Sequence, residues 1–284
     1  MKAGLLPILA ILAAAALGAT SGLYIKGLAF SGLAMSGLRM LVPFLLVLPS
    51  VARRGQLLGK KSYRGKLYFA SALNAVRMFL YIMAFKFTSM GNAIVLLYLW
   101  PVFALIIDSI RLRRPLDMAR LGILGLAFGG VVVLNLNRNF SLAGSDLLGS
   151  GCMILSALLF AGTAIIFKDA LKEVKETDTL YFQNGMGALV FLPFLLSEIP
   201  NAPSAHLAIG LLYGFAVGLV GFGLFFYAMK RLPFFQYSAL SYCEVPIGLF
   251  FGVVFLGEGI RLSQAIGVVM IVAGSFAAQR LRNP

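Results

Sequence analysis

Three charged side chains stand inside long apolar runs of this chain: Arg39, Arg77 and Glu244. A charge at membrane depth costs about 2.5–3.5 kcal/mol on insertion scales, so it faces a protein interior or a wet cavity, where solutes and ions are handled. The planar fork of Arg77 suits a carboxylate or another anionic group. Glu244 suits an ammonium group, or carries a proton as a coupling site. Helical spacing supplies polar neighbours. Asn74, Arg77 and Tyr81 share one face, Tyr237, Ser241, Glu244 and Gly248 a second, and Thr20 and Tyr24 a third. Tyr98 and Trp100 are two apart, as are Tyr242 and Glu244. Such pairs point to nearly opposite sides of a regular helix unless Pro101 or Pro246 distorts the turn. The candidate substrate-binding residues are therefore Arg77, Glu244, Tyr81, Asn74, Trp100, Tyr98, Tyr24, Tyr242 and Ser241. Among them Tyr24, Tyr81 and Trp100 would shape the apolar part of a site. Arg39 reads as a gating or structural charge. Arg77 and Glu244 have a second reading, as a buried pair that locks the structure.

Other chemistries find no support. The chain has one histidine, His206, and two cysteines, Cys152 and Cys243, both inside apolar runs. No CxxC or Cys/His cluster is present, so no metal site is expected. HExxH, GxSxG and GxxxxGK[ST] are also missing, which argues against an intramembrane hydrolase and a nucleotide-driven motor. The expectation is no enzyme, no cofactor and a gradient as driving force.

The elements that must position these residues are membrane helices. Of 284 residues, 60% are hydrophobic and 12% charged, against about 45–50% and 25% in soluble domains. A soluble globule of this size cannot hide so much apolar surface. Runs near the 20 residues a spanning helix needs fall at roughly 5–26, 32–52, 67–87, 91–110, 119–137, 147–167, 180–199, 206–229, 235–256 and 262–280. They lack the alternation of barrel strands. The fold class is an all-α integral membrane protein of ten spans.

The net charge of +14 is mostly a topology signal. With the N-terminus in the cytoplasm, the basic residues of the cytoplasmic connections far outnumber the outer set, which is Lys26, Lys86, Arg138 and Arg261. Both termini then lie in the cytoplasm of a cell carrying the protein in its inner or plasma membrane. No basic–aromatic groove supports nucleic-acid binding. The expected partners are the lipid bilayer, a small-molecule substrate and protons as a possible coupling ion, with the chain a monomer or weak dimer. Lys26 and Lys86 read as snorkelling residues at span ends, and Asp108 as one half of a helix-end pair with Arg111.

The chain repeats itself. LGATSGLYIKGL near Lys26 echoes LFAGTAIIFKDAL near Lys168, and MAFKFTS around Lys86 echoes YAMKRLP around Lys230. Tyr98-Leu99-Trp100-Pro101 answers Cys243-Glu244-Val245-Pro246, and Gly122 and Gly129 answer Gly267 and Gly274. Each unit holds five spans, an odd number, so the second copy is inverted, an arrangement suited to alternating access. The repeats are 1–140 and 141–284, with a charged cytoplasmic linker, 168–179, between the sixth and seventh spans. Gly210, Gly214, Gly218 and Gly221 form a small-residue stripe that lets helices approach closely.

The run Tyr227-Ala-Met-Lys-Arg-Leu-Pro233, then Glu244-x-Pro246, Gly257-Glu258, Gly267 and Ala273-Gly274, resembles the drug/metabolite transporter superfamily, EamA type. Leu38-Arg39 and FKFTSMGNAIVLLYLWPVF echo it in the first half. The resemblance implies a ten-helix exporter or importer of amino acids and other small metabolites. The Tyr98–Pro101 run is similar to the aromatic amino-acid exporter branch. The chain departs from the family in having Leu17-Gly18 where the first span often carries a tryptophan. It also has Arg111-Leu-Arg113-Arg114 where Gly-Glu is common, and Phe160 where an aromatic, often Trp, stands.

One arginine and one glutamate near the midplane fit a zwitterion, so the expected function is secondary or facilitative transport of an amino acid or relative by alternating access. An organic cation or choline-like amine, held by Glu244 and aromatic rings, is the alternative substrate. A non-transporting scaffold or lipid-handling subunit is the rival from another class.

Overall fold

The structure, a computed structural model, describes residues 4–21, 24, 28–57, 61–136, 145–256 and 259–281. These residues form helices and turns, with no strand among them. In chain order the helices are α1 (Leu5–Ala19), α2 (Gly32–Arg53), α3 (Arg64–Phe87), α4 (Met90–Leu97), α5 (Trp100–Arg111), α6 (Met118–Asn135), α7 (Ser145–Ala170), α8 (Glu176–Glu198), α9 (Ser204–Tyr213), α10 (Phe222–Arg231), α11 (Phe234–Ser241), α12 (Glu244–Leu256) and α13 (Leu262–Arg280). A wider π-helical segment, Gly214–Gly221, joins α9 to α10.

Nine stretches among the described residues are long and apolar enough to cross a bilayer. They match the second to tenth expected spans to within four residues at each end. The first expected span holds α1, of 15 residues, and its residues 22–23 and 25–26, including Lys26, lie outside the described residues. Large apolar side chains point outward along these stretches. Leu189, Leu196, Phe250, Phe255, Val269 and Phe276 are each more than half exposed, which a bilayer accommodates and water does not.

Helix ends follow local rules. Ser31, Ser89 and Asp117 cap α2, α4 and α6, accepting from the backbone N–H groups of Ala34, Asn92 and Arg120. After α2 the chain turns at Gly55, φ 65°, with Gly55 N–H donating to Ala52 O and Gln56 N–H to Val51 O. That left-handed C-terminal turn is the glycine's usual task. After α5 the same bond pattern recurs, Arg113 N–H to Ile110 O and Arg114 N–H to Ser109 O. Here the left-handed residue is Arg113, φ 51°, in the stretch where the family often has Gly-Glu.

The helices gather into two compact units that are not the two sequence halves. The first takes residues 1–79 and 166–231, the second 80–165 and 232–284. Each therefore draws elements from both repeats, and α3 and α7 run from one unit into the other.

In the first unit α2 lies along α8, with Gly37 against Leu195 and the Phe191 carbonyl. Gly210, Gly214 and Gly218 of the glycine stripe face α2, and Gly221 faces Leu17 of α1. A Cβ on Gly214 would stand 2.6 Å from the Leu38 carbonyl oxygen, and one on Gly218 2.5 Å from that of Arg39. Around this contact Leu28, Phe30, Met35, Leu38, Tyr213 and Val217 form an apolar core. In the second unit α6 lies along α13. Gly130 and Gly267 face each other so closely that a Cβ on either would meet the other's carbonyl at 2.7 or 2.6 Å. Small residues serve the same end in both contacts, since membrane helices associate by close packing.

The charged stretch 168–179, expected as a solvated loop, is largely helix. α7 continues to Ala170 and α8 begins at Glu176, while Leu171, Val174, Asp178 and Thr179 are buried. Asp178 is paired with Arg54, whose guanidinium also reaches Thr177 at 2.8 Å. Glu176 takes Arg231 at 2.7 Å and Lys230 at 3.5 Å. Lys230 also donates to the Val174 carbonyl, 3.1 Å, and Lys168 to the Met229 carbonyl. The reason is dipolar: the acids sit in the first turn of α8, and the bases in or just after the last turns of α2 and α10.

Candidate functional site

Two of the membrane stretches are broken. Gly91–Arg111 is interrupted at Tyr98–Leu99, and Phe234–Phe255 at Tyr242–Cys243. The breaks have a common cause in Pro101 and Pro246, which lack the N–H that would continue the ladder. At the first, Leu99 N–H turns back to Leu96 O and regular bonding resumes with Phe103 N–H to Leu99 O, 3.0 Å. At the second, Tyr242, Cys243 and Val245 each donate to the carbonyl three residues back. The expected single face Tyr237–Ser241–Glu244–Gly248 is corrected by this break. Tyr237 and Ser241 belong to α11, Glu244 and Gly248 to α12.

Glu244 is the first residue of α12, half-buried. A helix N-terminus favours a carboxylate there. The Tyr98 hydroxyl is one of its partners. Tyr237, fully buried, lies close enough to feel the same charge. The Tyr242 hydroxyl donates to the backbone carbonyl of Tyr98, 3.0 Å, and the two rings stack at 5.7 Å. Trp100 meets Phe160 edge-on at 4.9 Å and Tyr237 at 6.3 Å. Tyr98 and Trp100, two apart, are both buried, as the Pro101 distortion allows. Ser241 is bonded inward to the Ser238 carbonyl at 2.7 Å. Cys243 donates to Ser275, which donates to the Ala239 carbonyl, 3.1 Å. The result is a carboxylate at a helix start beside two tyrosines, with Tyr242 packed on one and Trp100 on the other, all within the second unit.

The first unit holds the two arginines. Arg77 is 5% exposed. Its Nε donates to Asn74 Oδ1, 3.0 Å, and Asn74 Nδ2 donates to the Gln183 carbonyl, 2.8 Å. Ser71, one turn earlier, accepts from the Met186 N–H, 3.1 Å. The polar stripe on α3 thus grips α8 and fixes the arginine's Nε edge. The Gln183 side-chain oxygen is buried without a hydrogen-bond partner among the described residues. Arg39 lies over the Phe222 ring at 4.9 Å and reaches Met78 Sδ at 3.6 Å. Tyr81, on the Arg77 face of α3, packs edge-on against Phe85 at 4.8 Å. Tyr24 packs on Tyr213 at 5.3 Å, against the apolar core.

The expected residues fall partly in one unit and partly in the other. Glu244, Tyr98, Tyr242 and Trp100 are brought together, Asn74 and Arg77 are bonded, and Ser241 and Tyr24 are occupied in packing. Tyr237, expected only as a face neighbour of Glu244, joins the first group, and Phe160 and Gln183 join these groups without having been expected there. Only the α11 face carried a sign of Tyr237. Phe160 and Gln183 meet their partners 60 and 109 positions away, and no local spacing encodes that. A cavity of about 370 Å³ lies elsewhere, lined by Arg54, Gln56, Glu173, Val174, Lys175 and Asp178. Asp108 and Arg111 pair at 2.9 Å as expected. Gly257 and Glu258 fall outside the described residues.

A polytopic helical chain with two interrupted spans and a carboxylate at one interruption has the build of a secondary transporter. The chain belongs to the EamA-like transporter family, which it matches over residues 5–136 and again over 147–278. This places it in the drug/metabolite transporter superfamily, as a transporter and not an enzyme. It is 28% identical over 271 residues to an uncharacterized transporter of Archaeoglobus fulgidus, covering 95% of each chain. It is 26% identical over 195 residues to the uncharacterized transporter YxxF of Bacillus subtilis, a match covering 67% of this chain but only 62% of that one. A solved crystal structure superposes with a TM-score of 0.78 over 96% of both chains at 19% identity, a likeness of fold alone.

Proposed function

We propose that the chain moves a small polar metabolite, an amino acid or related zwitterion, across the inner or plasma membrane by alternating access. The observation that carries this reading is Glu244. It opens the half-helix α12 at a break, with the Tyr98 hydroxyl on its carboxylate. In this reading Glu244 meets an ammonium group or carries a coupling proton. Arg77, held by Asn74 on one edge of its fork, is the group for a carboxylate. Supporting the proposed orientation, with both termini cytoplasmic, basic residues gather where α2 and α10 end (Arg53, Arg54, Lys230, Arg231).

One observation favours a second substrate class. Tyr98 and Tyr237 stand beside the carboxylate, with Trp100 packed on Tyr237, and aromatic faces attract desolvated cations. An organic cation would use Glu244 and the rings and leave Arg77 structural. Thermal unfolding of the purified protein over a metabolite panel separates the two. Stabilisation by amino acids but not choline-like ions supports the zwitterion. The reverse supports the cation, and a flat response to both contradicts both readings.

A further inference from the structure

Tyr98 and Tyr242 occupy equivalent places, each the first residue of its break, yet their hydroxyls do different work. Tyr98 turns its hydroxyl to the Glu244 side chain. Tyr242 turns its own to the Tyr98 backbone carbonyl, 3.0 Å away. The Tyr242 ring is fully buried and stacks on the Tyr98 ring at 5.7 Å and 30°. Backbone and ring of Tyr98 are thus held by one side chain, whose polar atom already serves a carbonyl. We infer that Tyr242 is a positioning residue rather than a substrate contact: it clamps the first break so that the Tyr98 hydroxyl sits on Glu244.

The physical case rests on the proline breaks. A continuous helix orients its own carbonyls and side chains. A helix interrupted before a proline has lost that support at the residues that carry the site. A buried hydroxyl from the other broken stretch supplies it. The brace is directional, because Tyr242 acts on Glu244 only through Tyr98. Its loss should therefore matter only while the Tyr98 hydroxyl is present. The functional meaning of the clamp rests on Glu244 being the ligand-binding carboxylate, but the clamp itself can be tested without transport.

The test is the rate at which a hydrophobic carbodiimide modifies Glu244 in the purified full chain, followed by mass spectrometry. A carboxyl group relieved of its hydroxyl donor is more open to the reagent. The variants are Tyr98→Phe, Tyr242→Phe and the double variant, with Ser275→Ala as control. Ser275→Ala removes another buried hydroxyl bond of the same unit, to the Ala239 carbonyl at 3.1 Å, without touching Tyr98. The expected result is labelling about threefold faster or more in each tyrosine variant, the size of a buried hydrogen bond within a membrane. The double variant should be no faster than Tyr98→Phe, and Ser275→Ala should match the unsubstituted protein. Wild-type labelling in Tyr242→Phe, additive effects in the double variant, or equal acceleration in Ser275→Ala would each overturn the clamp. If labelling follows the expected pattern while Glu244→Gln still transports, the clamp stands and the proposed function fails.

Discussion

Replacing Gly218 by alanine tests the closest approach of a glycine to a neighbouring helix backbone among the described residues of the first unit. The new Cβ would sit 2.5 Å from the Arg39 carbonyl oxygen, with the Pro43 ring carbons at 3.2 Å behind it. The oxygen belongs to the backbone of α2, and the ring is fixed in that helix, so neither can turn away. Overpacking of this kind costs about 1–3 kcal/mol. Removing a helical glycine returns up to about 1 kcal/mol. Gly162→Ala isolates the second term, because Gly162 stands within α7 and a Cβ there meets nothing within 4 Å. The difference between the two variants is then the clash alone. At roughly 2 °C per kcal/mol for a chain of this size, the unfolding midpoint of Gly218→Ala should lie about 2–6 °C below that of Gly162→Ala. Thermal unfolding of both in one detergent is the assay. Equal midpoints, or a higher one for Gly218→Ala, would refute the claim that the π-helical segment needs glycine to reach α2.

Other outcomes follow from single contacts. Arg113→Gly should stabilise the protein by about 1 kcal/mol, since it relieves a left-handed turn that an arginine adopts at a cost; denaturation in detergent reads this, and an unchanged or lower stability contradicts it. Asp178→Ala should lose about 1–2 kcal/mol, because it removes a buried partner of half-buried Arg54 and the bond its carboxylate accepts from the Lys175 N–H that caps the start of α8. Restoring stability with Asp178→Asn would show that the cap, and not the charge, is what matters. Arg77→Lys should weaken a carboxylated substrate at least tenfold in KM, since one point charge cannot both donate to Asn74 and present a planar fork. An unchanged KM would favour the organic-cation reading.

How much of this was legible in the sequence depends on the range of the interaction. Apolar run length located nine of the spans, because the bilayer sets that length directly. The neighbours Asn74 and Arg77 were legible because a helix brings residues three apart together. Pro101 and Pro246 marked where regular spacing would fail, but not that both stretches would break, nor that Tyr242 would reach Tyr98 across 144 positions. The linker misled because its charge suggests solvation. Two of its acids, Glu176 and Asp178, are in fact spent on the bases of α2 and α10. The repeat matched Gly122 and Gly129 with Gly267 and Gly274 but did not say which glycine meets which helix. Gly267 faces Gly130, which that match left out, because helix rotation decides which glycine meets the partner backbone.

The account turns on Glu244 as the group that meets the substrate or its coupling proton. The most direct measurement is counterflow of labelled amino acids into vesicles holding the purified protein, with Glu244→Gln beside it. Gln keeps the side chain's size and removes its charge. The account predicts saturable uptake by the unsubstituted protein and at least a tenfold loss in Glu244→Gln at an unchanged unfolding midpoint. Equal uptake by the two proteins would contradict it.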